Sequence, residues 1–217
     1  MWLVVPVKNF IDAKQRLREY LGQSERAELY RCMLEDVLDC VCRLNLLDGI
    51  ALVTLDSTAT ALADKFGIRI ISEPANRGHT EAVQYGIEML MKEGVGEIMT
   101  LPGDIPLVTP SELQSLVDSH NNLNCSRAFS IVPSRDYGGS NAVICSPPDV
   151  VPLAFGADSY FPNVQKAKAA GIEPNVVELL GISLDIDTIS DLRAFISRDV
   201  ATRTSRYLNE SGISARL

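Results

Sequence analysis

Short apolar runs rich in Val and Ile alternate with longer segments in which apolar residues recur every three to four positions. The runs at 2–7 (WLVVPV), 49–55 (GIALVTL), 68–72 (IRIIS) and 97–101 (EIMTL) each predict a buried strand. Between them, residues 24–44 place Leu29, Met33, Val37 and Val41 on one helical face, and 57–66, 79–93 and 111–120 carry the same period. Ser24 fits the N-cap of the first helix, with Glu25 in its first turn. Thr109-Pro110-Ser111-Glu112 reads as a capping box with proline at the first helical position. Four strand–helix repeats at this spacing imply a parallel sheet joined by right-handed crossovers.

The second half is less regular. Residues 127–134 and 141–146 predict two strands around the turn RDYGGS, and 177–187 (VELLGISLDID) a further strand region. Residues 188–198 predict a helix with Thr188 and Asp191 as its capping pair, and the polar tail 209–217 is expected to fray. With no repeat and no linker, the expectation is one domain over 1–217. Its class is α/β: a Rossmann-like, mostly parallel central sheet with helices on both faces and a hairpin-bearing insertion in the second half.

Composition narrows what such a fold could serve. Hydrophobic residues make up 46% and charged residues 22%, the balance of an ordinary soluble protein. A formal net charge of −8 argues against a binder of nucleic-acid backbones, which needs a basic stripe, but allows one nucleotide held locally with a metal. No run reaches membrane-span length. The opening MWLVVPVKNF is too short for a signal peptide and lacks a basic start, so cytoplasm is the expected location. The five cysteines form no zinc pattern and are expected as small buried hydrophobes. The sequence does not choose between monomer and homodimer.

Candidate chemistry collects at strand ends, where open parallel sheets bind ligands. Asp104 follows the run 97–101 in Pro102-Gly103-Asp104-Ile105-Pro106, a turn stiffened by two prolines; it is either a self-capping turn acid or a metal ligand. Asp185 and Asp187 stand two apart in an extended pattern, so both carboxylates share one face and repel unless a cation separates them. Three such aspartates make a hard oxygen site of the kind Mg²⁺ prefers. Lys8, Lys14 and Arg16 lie in the loop after the first strand, as solvated surface charges or as contacts to a triphosphate. Ser140 in the Gly138-Gly139-Ser140 turn and Gly156-x-x-Ser159 before a helix could each nest an anion, or be a plain turn and a plain cap. Pro74 and the turn Asn76-Arg77-Gly78 could accept a base. His79 reads as a surface histidine near a helix cap rather than a catalyst.

Together VPVKNFIDAKQRL, EPANRGHTEAVQYGI, LPGDIPLV, GGSNAV, FGADS and LDIDT, in that order and over nearly the whole chain, resemble the CofC-type 2-phospho-L-lactate guanylyltransferases among the MobA-like nucleotidyltransferases. The resemblance implies GTP as donor, one or two Mg²⁺ ions, pyrophosphate as product and a place in coenzyme F-420 biosynthesis. It implies that Asp104, Asp185 and Asp187 hold the metal and act in catalysis with Lys14. Lys8 and Arg16 would join Lys14 at the triphosphate, Pro74 and Gly78 would take the guanine, and Ser140, Gly156 and Ser159 the acceptor. Three positions depart from the family pattern: GDIP replaces Ala-Asp-Leu-Pro, Thr80 stands for Asn, and Asn163 stands for His. The acceptor is therefore left among 2-phospho-L-lactate, phosphoenolpyruvate and 3-phospho-D-glycerate. Other readings are a related enzyme acting on a molybdopterin or sugar phosphate, or a non-catalytic nucleotide-binding subunit.

Overall fold

A computed structural model describes residues 1–75 and 77–217. The first half alternates as the periodicity requires: β1 (Trp2–Pro6), α1 (Gln23–Val41), β2 (Gly49–Val53), α2 (Ser57–Phe66), β3 (Arg69–Ile71), α3 (His79–Lys92), β4 (Ile98–Thr100) and α4 (Pro110–Asn121). It continues with β5 (Ala128–Pro133), β6 (Ser140–Ser146), α5 (Tyr160–Ala169), β7 (Asn175–Val176), α6 (Ile189–Ile196), α7 (Arg203–Glu210) and α8 (Ile213–Arg216). The strands form one seven-stranded sheet in the order β3-β2-β1-β4-β6-β5-β7. β1 pairs in parallel with β2 and β4, and β2 with β3. β6 runs antiparallel to both β4 and β5. The hairpin β5–β6 thus extends the central sheet itself.

Both faces of the sheet are covered. Leu3 and Val5 of β1 join Leu52, Met99 and the Leu29, Met33 and Val37 face of α1 in one core. Val4 between them points the other way, onto Val83, Ile87 and Leu90 of α3. This period of two, apolar on both sides, is what a parallel strand buried between helices demands. The capping boxes at Thr109–Glu112 and Thr188–Asp191 are both formed.

Four expectations are corrected. The first helix is capped at Gly22 rather than Ser24, because the Glu25 carboxylate accepts the Gly22 N–H at 2.8 Å. Residues 177–187 are not a strand; only Asn175–Val176 pairs with β5. Gly181 turns the chain there, pressed against the Leu107 carbonyl and donating its N–H to Glu112 at 2.6 Å. Residues 209–217 do not fray: α8 seats Ile213 in the core and Arg216 pairs with Glu25 at 2.5 Å. Finally, Cys32, Cys40 and Cys145 are buried as expected, but Cys42 and Cys125 are exposed.

Candidate active site

The loop after β1 is held in place by its own sequence. Asn9 accepts the Ile11 N–H at 2.8 Å and starts a short 3-10 turn over Phe10–Asp12. The Phe10 N–H donates to Asp56 at 3.1 Å, while the other oxygen of Asp56 caps α2. The Phe10 ring rests on Tyr30 of α1 at 5.0 Å, and buried Arg26 donates to the Ala13 and Leu21 carbonyls at 3.2 and 2.8 Å. Lys14 sits in the left-handed region (φ 53°), a strain that a non-glycine residue keeps only where its surroundings impose it. Its side chain is only 5% exposed, and Nζ donates to Asp187 at 2.7 Å and to Asp104.

Asp104 is placed by the turn beyond β4. Gly103 serves space rather than backbone freedom: a Cβ there would meet Leu34 at 2.9 Å and the Tyr30 hydroxyl at 3.2 Å. The Asp104 carbonyl accepts the Ile186 N–H at 3.1 Å, which docks the segment 182–187 beside it. Asn141 of β6 holds that segment from the other side, donating to the Ile182 carbonyl and to Asp185 Oδ1, both at 2.9 Å. The Arg135 N–H adds a bond to the Ser183 carbonyl at 2.8 Å. Leu184 and Ile186 point into the core while Asp185 and Asp187 face the cleft, so the shared face expected of the pair exists without a strand.

Charge here is unevenly matched. Asp104, Asp185 and Asp187 face one closely held ammonium, Lys14, with Arg16 at 3.7 Å from Asp187. Burial pulls the Lys14 amine down, but Asp104 and Asp187 outweigh it and hold the amine above its ordinary range. Lys14 in turn keeps Asp187 below the usual carboxylate range. Asp185 lacks that partner: burial, then the Asp104 carboxylate, pushes it up to about 6. One oxygen of Asp104, Oδ1, is buried with no hydrogen-bond partner. Among the described residues, no three Asp, Glu, His or Cys side chains converge closely enough to enclose an ion unaided. The orphaned oxygen and the surplus of carboxylate over cation are nonetheless the donor set that a hard divalent ion fits.

A prediction on stability follows. A carboxyl raised in the folded state favours folding below its unfolded value and loses that contribution as pH rises through its folded one. Asp185→Asn, which keeps the Asn141 contact, is expected to melt higher than the wild type at pH 7.5 without ligand. That advantage should shrink as pH falls from about 6 toward about 4, the ordinary aspartate range. Thermal melts of both proteins across this range measure it, and a pH-independent gap would refute it.

Two clefts meet at these residues. One, of about 340 Å³, is walled by the hairpin turn (Gly138, Gly139, Ser140), Gly156, Asp185 and Arg16. The other, of about 350 Å³, is walled by Pro6, Lys8, Asn9, Lys14 and Tyr30. Pro102, Asp104, Asp187, His79 and Gly156 line both. Arg16 therefore opens onto the hairpin cleft and not the loop cleft shared by Lys8 and Lys14. Ser159 is 5% exposed and lies behind the wall, where its hydroxyl accepts the Ser140 N–H at 3.1 Å. Asn163 is fully buried and binds Ala154 through both amide atoms and Ser140 Oγ at 3.0 Å. Pro74 and Gly78 line neither cleft, although Gly78 adjoins His79; Asn76 lies outside the described residues.

This arrangement, a loop-walled cleft joined to a hairpin-walled one across an Asp–Lys–Asp bridge, suits two substrates brought together at one charged point. The family described as guanylyl transferase CofC-like matches residues 1–217. The chain belongs to that family. It is 30% identical to the 2-phospho-L-lactate guanylyltransferase of Methanobrevibacter smithii, across 97% of this chain and 90% of that one. It is 31% identical to the phosphoenolpyruvate guanylyltransferase of Conexibacter woesei, across 88% and 85%. Among solved structures, a Desulfovibrio desulfuricans protein assigned to the nucleotide-diphospho-sugar transferases superposes with a TM-score of 0.78 at 19% identity, covering 99% of this chain and 96% of that one. That likeness shows the fold.

For a guanylyl transferase, sequence reasoning passed over three residues of the site. Asn141 and Arg135 fix the aspartate segment from the expected hairpin, through contacts distant in the chain that its local pattern does not show. His79, expected at the surface, is half-buried and stands at the junction of the clefts. Its one sequence signal is its place as the first residue of a helix that starts at the ligand edge of the sheet. No helix among the described residues is long and apolar enough to cross a membrane.

Proposed function

We propose that this chain, as one nucleotidyltransferase domain over 1–217 in the cytoplasm, moves GMP from GTP onto a three-carbon phospho-acid in coenzyme F-420 biosynthesis. The acceptor is 2-phospho-L-lactate, phosphoenolpyruvate or 3-phospho-D-glycerate. The observation that carries this reading is the pair of clefts meeting at Asp104, Lys14 and Asp187. The loop cleft takes the triphosphate, against Lys8 and Lys14, and the guanine extends beyond the cleft toward Pro74 and Gly78. The hairpin cleft takes the acceptor, against Ser140 and Gly156, with Ser159 holding Ser140 in place. Arg16 reaches toward the phosphates from the acceptor side.

A phosphate oxygen of the acceptor attacks the α-phosphorus of GTP, the bond to the β-phosphate breaks, and pyrophosphate leaves. Attacker and electrophile are both anionic, so alignment and charge neutralisation are the main tasks. The acceptor phosphate is already ionised at neutral pH, so no general base is required. Lys14 supplies fixed positive charge at the meeting point, and the pinned 182–187 segment fixes the carboxylates. Asp104, Asp185 and Asp187 would hold Mg²⁺, which when bound neutralises phosphate charge as a Lewis acid.

The test incubates the protein with GTP, Mg²⁺ and each of the three acids, reading pyrophosphate release and the mass of the guanylylated product. One acid should be turned over well ahead of the others. No product from any of the three would overturn the reading.

A further inference from the structure

His79 opens α3 and is among the few residues lining both clefts. Among the described residues, neither ring nitrogen makes a hydrogen bond to the protein. The ring is nonetheless fixed: it lies against Phe155 at 5.0 Å. Phe155 is clamped in turn by Thr80, whose hydroxyl accepts the Phe155 N–H at 2.9 Å and donates to its carbonyl at 3.3 Å. Thr80 and Phe155 thus orient an imidazole that makes no hydrogen bond of its own among the described residues. Burial, then the nearby Lys8 and Lys14, lowers the imidazole to about 4 against the opposing pull of Asp187, and an imidazole keeps one N–H donor even when neutral.

Within the guanylyl-transfer reading above, on which this inference rests, the bond exchange takes place at one atom where the two clefts meet: the α-phosphorus of GTP. We propose that His79 is a further catalytic residue, a hydrogen-bond donor to a non-bridging oxygen of the α-phosphoryl at the junction of the clefts. The phosphorus–oxygen bonds made and broken are those already given, and His79 neither gains nor loses a proton. An uncharged donor suits this place. It steadies the oxygen charge of the transition state without competing with Lys14 for the aspartates.

The test compares wild type, His79→Leu and His79→Gln. Leucine fills the space beside Phe155 without a donor, whereas glutamine restores an N–H. Loss of one such donor typically costs about 10²-fold in turnover. His79→Leu is therefore expected to lower kcat by about that factor, with KM for GTP and for the acceptor within about threefold and the melting temperature unchanged. His79→Gln should recover about a tenth of wild-type kcat or more. Unchanged kcat in His79→Leu, a defect confined to KM, or no recovery in His79→Gln would each overturn the proposal. A wild type that transfers no guanylyl group at all would instead overturn the functional reading beneath it.

Discussion

Asp104→Asn is expected to reduce guanylyl transfer by about 10³-fold or more while leaving the protein folded. Asparagine keeps the size of the side chain, and the bond that docks the 182–187 segment uses the Asp104 carbonyl, which the substitution does not touch. What disappears is the negative charge on an oxygen that is buried without a protein partner and on another that binds Lys14. The fold should tolerate the loss, because Asp104 also repels Asp185 and Lys14 retains Asp187 at 2.7 Å. Pyrophosphate release read alongside a thermal melt separates the two effects. A well-folded variant with wild-type turnover would remove Asp104 from the reaction.

Lys14→Met should damage both activity and stability, and the second effect is the more diagnostic. Without the ammonium, Asp104, Asp185 and Asp187 face one another with Arg16 held no closer than 3.7 Å from Asp187. Breaking a fully buried pair costs about 3–5 kcal/mol. Asp187 is 42% exposed, and solvent screening reduces that figure to about 2 kcal/mol. Transfer should fall by about 10²-fold or more, as the triphosphate also loses its fixed cation. Added Mg²⁺ should raise the melting temperature of the variant more than that of the wild type, because a divalent ion can take the neutralising place of Lys14. An equal response in the two proteins would show that Lys14 does not shield the carboxylates.

Much of this was legible in the sequence wherever local pattern decides structure. The strand–helix alternation of the first 120 or so residues, the capping boxes at Thr109 and Thr188 and the place of Asp104 follow from periodicity, turn chemistry and strand-end position; Asp185 and Asp187 share the expected face without the expected strand, and Lys14 is tied to the aspartates in the sequence only by the family resemblance. What was hidden depends on contacts distant in the chain. The segment 177–187 has strand composition, but Gly181 turns against Leu107 and Glu112, a meeting that no local window contains. Residues 209–217 look polar because they bury one side chain fully, Ile213, while Arg216 pairs with Glu25 of α1 and the Leu217 carbonyl accepts from Arg193 of α6. Ser159 matched an anion-binding motif, yet its hydroxyl is used internally by Ser140. That His79 lines both clefts depends on how the loop and the hairpin come together, and composition carries no information on that.

The Lys14–Asp187 contact joins residues 173 positions apart. During synthesis the loop bearing Lys14 leaves the ribosome early, while its counter-charge at Asp187 is still untranslated. The α7–α8 segment, whose Tyr207 and Arg216 bind Glu25 of the helix beneath that loop, emerges later still. A nascent chain therefore holds an unfinished site until Asp187 and the α7–α8 segment have been made. A variant ending just before Tyr207 would keep every proposed catalytic side chain and still lack the brace that holds α1 under the loop.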